Sequence, residues 1–145
     1  MHNARSNQLI TYIRILFSGG TIYLATKNQK ITPELNKKMR DDFPEANERC
    51  EYVHLDIRDP SSVEKVRDMI KERHDNLDIL INNAGRYEVP DMSTTDKFAD
   101  QADLILGTNY WGLKNVMSAM KEILIPGKDL KKSTVCFVLA IITSK

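Results

Sequence analysis

Leu77-Asp78-Ile79-Leu80-Ile81-Asn82-Asn83-Ala84-Gly85 is the stretch on which the fold turns. Its first five residues are aliphatic apart from one aspartate, the composition of a short strand buried on both faces. The run stops abruptly at two asparagines and a small Ala-Gly pair, which mark a strand end rather than a continuing element. Immediately upstream lies a segment with a different period. Asp59-Pro60-Ser61-Ser62-Val63-Glu64 carries several helix-start signals, with Asp59 or Ser61 as N-cap, Pro60 in the first turn and Ser61 with Glu64 as a capping box. Val63, Val66, Met69 and Ile70 then recur on one helical face, opposite Lys65, Arg67, Asp68 and Lys71.

Working outward, the same alternation repeats. Residues 52–55, Tyr-Val-His-Leu, read as a strand ending at Asp56-Ile57-Arg58-Asp59, and residues 21–25, Thr-Ile-Tyr-Leu-Ala, as an earlier one ending at Lys27. Between them Pro33 opens a helical pattern through Leu35 and Met39 that Pro44 stops. Downstream, a long helical pattern over 96–125 carries Leu113, Met117, Met120 and Leu124 as an apolar stripe read as core, and Pro126-Gly127 ends it. Gly107 and Gly112 would weaken an isolated helix, so each permits close packing or marks a break. Residues 134–142 form a fourth buried strand. Four apolar strands alternating with helices predict an α/β fold, a doubly wound parallel sheet of about four strands with helices on both faces. Ligands of such sheets sit beyond the carboxyl ends of the strands. The candidate positions are therefore Lys27, Asp56, Asn82 to Gly85 and the residues after Val138.

Composition narrows the class. The 145 residues suit one domain, and 41% hydrophobic with 28% charged residues is ordinary for a globular chain. A net charge of +1 without a dense basic run leaves no electrostatic footprint for nucleic acid. Arg5 and Arg14 interrupt the N-terminal apolar residues, so no signal peptide is expected, and no apolar run is long enough for a spanning helix; a cytoplasmic protein without membrane association is the expectation. Cys50 and Cys136 are too few and too far apart for a metal site, a redox pair or a disulfide framework, and read as thiols in or beside strands.

Leu55-Asp56-Ile57 before a capped helix, the strand ending Asn82-Asn83-Ala84-Gly85, and Thr108-Asn109-Tyr110-Trp111-Gly112 together resemble the central third of a short-chain dehydrogenase/reductase. The wording Thr-Asn-Tyr-Trp-Gly and the strand 20–27 are most similar to the carbonyl reductase branch, and the resemblance covers about residues 17–124. It implies an incomplete Rossmann-like fold and a role for each strand end. Asn82, Asn83, Ala84 and Gly85 would bring backbone close to the adenosine ribose of a nicotinamide cofactor. Asp56 would accept a hydrogen bond from the adenine amino group, with Ile57 offering its backbone and an apolar flank. Lys27 would face the extra 2′-phosphate, which makes NADPH the implied cofactor. Asn109 occupies the position that in this family holds a water in a proton relay. Each residue also has a plainer reading: Asn82 and Asn83 as strand-end caps, Asp56 as a turn residue, Asn109 as a partner of a neighbouring loop, Lys27 as a solvated strand end.

The sequence departs from the family at both ends. No Thr-Gly-x-x-x-Gly-x-Gly turn precedes the first strand; Ser18-Gly19-Gly20 is read as a plain turn, and residues 1–16 as an atypical segment replacing the first strand and its glycine-rich turn, ahead of a partial nucleotide-binding domain over 17–145. The sheet is accordingly expected to lack its usual centre. No Tyr-x-x-x-Lys follows the fourth strand within these residues, the place the family gives it, and the positions matching the family's catalytic serine pair are Leu139 and Ala140. The implied activity is NADPH-dependent reduction of a small-molecule ketone or aldehyde by a complete form, with the 145-residue chain expected to be inactive alone. The alternatives are a non-catalytic binding or homodimerisation module using the 96–125 helix, and a non-functional remnant whose exposed sheet edges prevent stable folding.

Overall fold

The computed structural model describes residues 20–42, 44, 49–86 and 94–125, together with the backbone of 135–139. The expectations placed on residues 1–16, on Ser18-Gly19 and on Ala140 lie outside the described residues. The elements in order are β1 (Thr21–Thr26), a 3-10 turn (Gln29–Ile31), α1 (Thr32–Asp42), β2 (Cys50–His54), α2 (Pro60–His74), β3 (Ile79–Asn82), α3 (Thr95–Leu106), a π-helix (Gly107–Gly112), α4 (Leu113–Met120) and β4 (Val135–Leu139). All strand pairs are parallel and the sheet order is β2-β1-β4-β3. The predicted parallel α/β sheet of four strands is what the chain forms.

Local chemistry sets the element boundaries. Asp59 caps α2, its carboxylate accepting from Ser61 N at 3.0 Å, and Pro60 fills the first helical position, where no N–H is needed. The Ser61–Glu64 capping box is not what starts this helix, because Asp59 already occupies the cap and Ser61 falls inside the first turn. Val63, Val66 and Ile70 are buried and pack with Tyr23, Ala25, Val53 and Leu55 of the sheet side and with Val116, Met120 and Ile123. Helices α2 and α4 therefore share one sheet face. Ile22, Leu24 and Cys50 alternate to the opposite face and are also buried, and burial pushes the Cys50 thiol up to about 11, leaving it an unreactive thiol.

Three expectations change. The helix predicted over 96–125 is divided by the π-helix and ends at Met120, because Leu77 then captures the chain: Leu77 N donates to Ile123 O at 2.9 Å, and Ile125 N donates to Leu77 O at 3.0 Å. Leu77 thereby forms an isolated parallel bridge with Leu124 instead of starting β3. The Met117 position of the apolar stripe is 55% exposed, and Leu124 is also exposed; the buried positions of α4 are Val116 and Met120, because the π turn rotates the helix behind it. Strand β4 takes the central position of the sheet, hydrogen-bonded to β1 on one side and β3 on the other.

That placement has a topological consequence. The β2-α2-β3 unit and the β3-to-β4 connection cross the sheet in opposite directions with their helices on the same face. The two crossovers are therefore of opposite hand, although about 98% of such units are right-handed. At the other end of the sheet β2 is an edge strand, and Asn36 of α1 blunts it as a peptide would. Its side-chain amide donates to Tyr52 O at 2.9 Å and accepts from Tyr52 N, covering backbone groups that would otherwise template a further strand.

Tyr23, at the amino end of β1, is buried beneath the C-terminus of α2, and its hydroxyl lies 2.7 Å from His74 Nε2. Burial, then the neighbouring Arg73 guanidinium, lowers the His74 pKa from its ordinary value of 6.5. A histidine kept neutral in the folded state takes up its proton more readily when unfolded. Its contribution to stability is thus fully present above pH 6.5 and is lost as the pH falls through the lowered folded value. The urea midpoint is expected to drop over that window and to drop less in His74→Gln; identical slopes in the two proteins would refute the assignment.

Candidate nucleotide-binding edge

The carboxyl ends of β1, β2 and β3 bring the candidate residues to one edge. Thr26 pairs with His54, so Lys27 and Asp56 emerge side by side; Ala25 and Asn82 both register with Leu139, which puts the Asn82 to Gly85 segment two strands away on the same edge. Lys27 Nζ reaches Asp56 Oδ2 at 3.1 Å, with side chains 58% and 27% exposed. A pair this open to water contributes at most about 1 kcal/mol and separates readily, so both groups remain available to a ligand. Lys27 thus stands at the strand end, largely exposed, with Asp56 as its ion-pair partner.

Asp56 is held from below. Its N–H donates to Ser62 Oγ at 3.1 Å, and its Oδ1 accepts from Arg58 N at 3.0 Å, an Asx turn that fixes the carboxylate while leaving Oδ2 pointing to Lys27. Ile57 departs from expectation. Its side chain is buried at 5% exposure against Gly112, where an added Cβ would sit 2.7 Å from Ile57 Cγ1, so it cannot serve as an apolar flank for an adenine. The apolar side chain is drawn inward because the turn lies directly on the helix.

Asn82, Asn83 and Gly85 are exposed and Ala84 packs against the core. A Cβ added at Gly85 would meet only Asn109 Oδ1, at 3.7 Å, an ordinary contact. Among the described residues nothing crowds this position, so the space left by the missing side chain opens outward, as a backbone-hugging ligand requires. The Asn109 side chain clasps the next residue: Oδ1 accepts from Arg86 N at 2.7 Å and Nδ2 donates to Arg86 O at 2.8 Å. This is the neighbouring-loop reading of Asn109, and it ties the backbone of Arg86 to the π-helix.

Sequence reasoning missed Ser62 and Asn115 and left the glycine question open. Asn115 Nδ2 donates to Ile57 O at 3.2 Å, and Arg58 pairs with Asp103 at 3.5 Å while lying over Gly107. Gly107 and Gly112 turn out both to mark the break and to permit close packing, since they bound the π-helix and touch Arg58 and Ile57 respectively. The only local signal was the two glycines within a helical pattern. Among the described residues no group of three or more histidines, cysteines or carboxylates could hold a metal, and no helix is long and apolar enough to cross a membrane.

These groups suit the adenosine half of a phosphorylated dinucleotide: an ammonium for a phosphate, a fixed carboxylate for an amino group, and open backbone at Gly85 for a sugar. A glycine turn with a helix N-terminus for the pyrophosphate is not found among the described residues.

Comparison with known proteins agrees with the geometry. The short chain dehydrogenase family profile matches residues 13–141. The chain is 35% identical over 99 residues to oxidoreductase UcpA of Escherichia coli (strain K12), an alignment covering 68% of this chain and 36% of that protein. It is 32% identical over 92 residues to human carbonyl reductase (NADPH) 1, covering 62% of this chain and 32% of that protein. The chain thus spans about a third of the length of these curated relatives. Among solved structures, menthone neomenthol reductase from Mentha piperita superposes with a TM-score of 0.64 at 24% identity, over 77% of this chain and 50% of that one, a likeness of fold.

Proposed function

Because this chain belongs to the short chain dehydrogenase family, we propose that its carboxyl edge holds the adenosine half of NADPH in an oxidoreductase that reduces ketones or aldehydes. The observation that carries the reading is the Lys27–Asp56 pair at 3.1 Å, on the edge where Gly85 leaves its backbone open. Bound there, the dinucleotide supplies the hydride for carbonyl reduction. Lys27 separates from Asp56 to meet the 2′-phosphate, and Asp56, freed of its counter-ion, accepts from the adenine amino group. Asn82, Asn83, Ala84 and Gly85 form the floor under the ribose. Asn109 keeps that floor in place through Arg86 and, by family resemblance, stands at the relay position. The similarity to human carbonyl reductase (NADPH) 1 supports both the cofactor and the substrate class.

Within the 145 residues Tyr-x-x-x-Lys spacing occurs only at Tyr23–Lys27, in β1, and Tyr110–Lys114, from the π-helix into α4, and not after β4, so the reading assigns these residues nucleotide holding rather than proton donation. Calorimetric titration is expected to show saturable NADPH binding, weaker binding of NADH, and about a tenfold loss of NADPH affinity in Lys27→Ala, the cost of one charge-assisted contact. No binding by the folded chain, or equal binding of the two nucleotides, overturns the proposal. A cytoplasmic location goes with this reading and fits two widely separated cysteines.

A second reading has its own observation. Leu106, Tyr110, Trp111 and Met117 are all more than half exposed on the α3-π-α4 helix, the kind of apolar surface that a homodimer covers. A strictly monomeric chain in sedimentation would remove this reading without touching the first.

A further inference from the structure

The turn after β2 is gripped by one helix at three points. Gly107 lies under Arg58, Gly112 lies under Ile57, and Asn115 Nδ2 donates to Ile57 O at 3.2 Å. In an uninterrupted α-helix positions 107 and 112 would point about 140° apart, at roughly 100° per residue. The π-helix spanning Gly107–Gly112 narrows that divergence, because the wider i→i+5 turn brings residues five apart onto one face. Asn115 follows Gly112 by three residues and so continues the same face. Asn109, within the π turn, points instead to Arg86. One helix thereby holds backbone on both sides of the candidate edge, and on the Asp56 side it does so through the Asn115 hydrogen bond beside the Arg58–Asp103 pair at 3.5 Å.

We infer that Asn115 is a positioning residue, which by holding the Ile57 carbonyl aims the Asp56 carboxylate at the adenosine half of the nucleotide; this rests on the nucleotide reading above. Ile57 adjoins Asp56 in the chain, and the bond to its carbonyl spans 58 residues of sequence. The backbone N–H groups of Arg58 and Asp59 bond within the turn, to Asp56 Oδ1 at 3.0 Å and Asp56 O at 3.1 Å. They shape the turn without tying it to the rest of the fold. Ser62 Oγ receives the Asp56 N–H from the helix side, and the Asp56 and Arg58 side chains pair with Lys27 at 3.1 Å and Asp103 at 3.5 Å, so without Asn115 the turn keeps these tethers and loses the one on the Ile57 carbonyl.

The test uses Asn115→Asp, which keeps the size and removes the donor, with Asn115→Leu as a second variant should the first fail to fold. The probes are adenosine 2′,5′-bisphosphate and nicotinamide mononucleotide, which report the two halves of the cofactor separately. The expected result is about a fivefold weaker affinity for the bisphosphate, in line with the loss of one neutral hydrogen bond, with mononucleotide affinity unchanged. Amide exchange at Arg58 and Asp59 should quicken by a similar factor while the unfolding midpoint stays close to that of the wild type. A purely structural role would lower the midpoint and affect both probes alike, and that result overturns the inference. So does wild-type bisphosphate affinity in a folded variant, whatever the exchange rates. Failure of the unsubstituted chain to bind the bisphosphate would remove the nucleotide reading itself, an outcome visible before any variant is made.

Discussion

Ile70→Ala is expected to lower the unfolding free energy by about 3 to 4 kcal/mol. Ile70 is 0% exposed, sits in the last turns of α2 and lies in the cluster that joins the sheet to α4 through Tyr23, Val116 and Met120. Truncation removes three carbons from that cluster, losing their transfer energy and leaving a cavity whose walls belong to a strand and two helices and so cannot collapse together. For a domain with about 5 to 15 kcal/mol of stability this is a large fraction. Urea unfolding followed by circular dichroism reads it directly. A loss under about 1 kcal/mol would mean that α2 and α4 do not close a common core.

Gly112→Val should cost about 2 to 3 kcal/mol, an overpacking penalty rather than a cavity. A Cβ at this position would stand 2.7 Å from Ile57 Cγ1, 2.9 Å from Ile57 Cδ1 and 3.1 Å from the carbonyl oxygen of Gly107. Ile57 Cδ1 could rotate away, but Cγ1 is anchored next to the backbone and the carbonyl belongs to the π turn. The helix must therefore lift off the Asp56-Ile57-Arg58 turn. Gly85→Ala is the internal control, because its Cβ would meet nothing nearer than Asn109 Oδ1 at 3.7 Å, and it should shift stability by less than about 1 kcal/mol. Thermal unfolding of the two variants side by side separates the cases; equal shifts would show that the helix does not rest on the turn.

The contrast between the two glycines bears on how the candidate edge works. Gly112 serves the protein's own packing, whereas Gly85 leaves open a space that the described residues do not fill. Membership of the short chain dehydrogenase family gives that space an occupant in the proposal, and the exposed Lys27–Asp56 pair gives the occupant its charge. The same distinction separates the two asparagines of the helix. Asn109 holds backbone on the β3 side and Asn115 on the β2 side, and the π turn between Gly107 and Gly112 lets one helix do both.

The sequence by itself determined the kind and order of the elements, because period-two and period-3.6 patterns, caps and breakers act over a few residues. It also determined which residues end each strand: Lys27, Asp56 and Asn82 to Gly85 reach one edge because parallel strands all present their carboxyl ends together. Tertiary structure alone decided the rest. The place of β4 between β1 and β3 is a matter of which edges are left to pair, and no pattern within Val135–Leu139 specifies its neighbours. The burial of Ile57, the exposure of Met117 and the end of the helix at Met120 follow from contacts with Gly112, from the π turn and from the capture of residues 123–125 by Leu77. Asn36 on Tyr52 and Asn115 on Ile57 join residues 16 and 58 apart in sequence. Such bonds leave no local trace, since an asparagine in a helix reads alike whether its amide meets water or a distant backbone, and only the closed fold brings the two together.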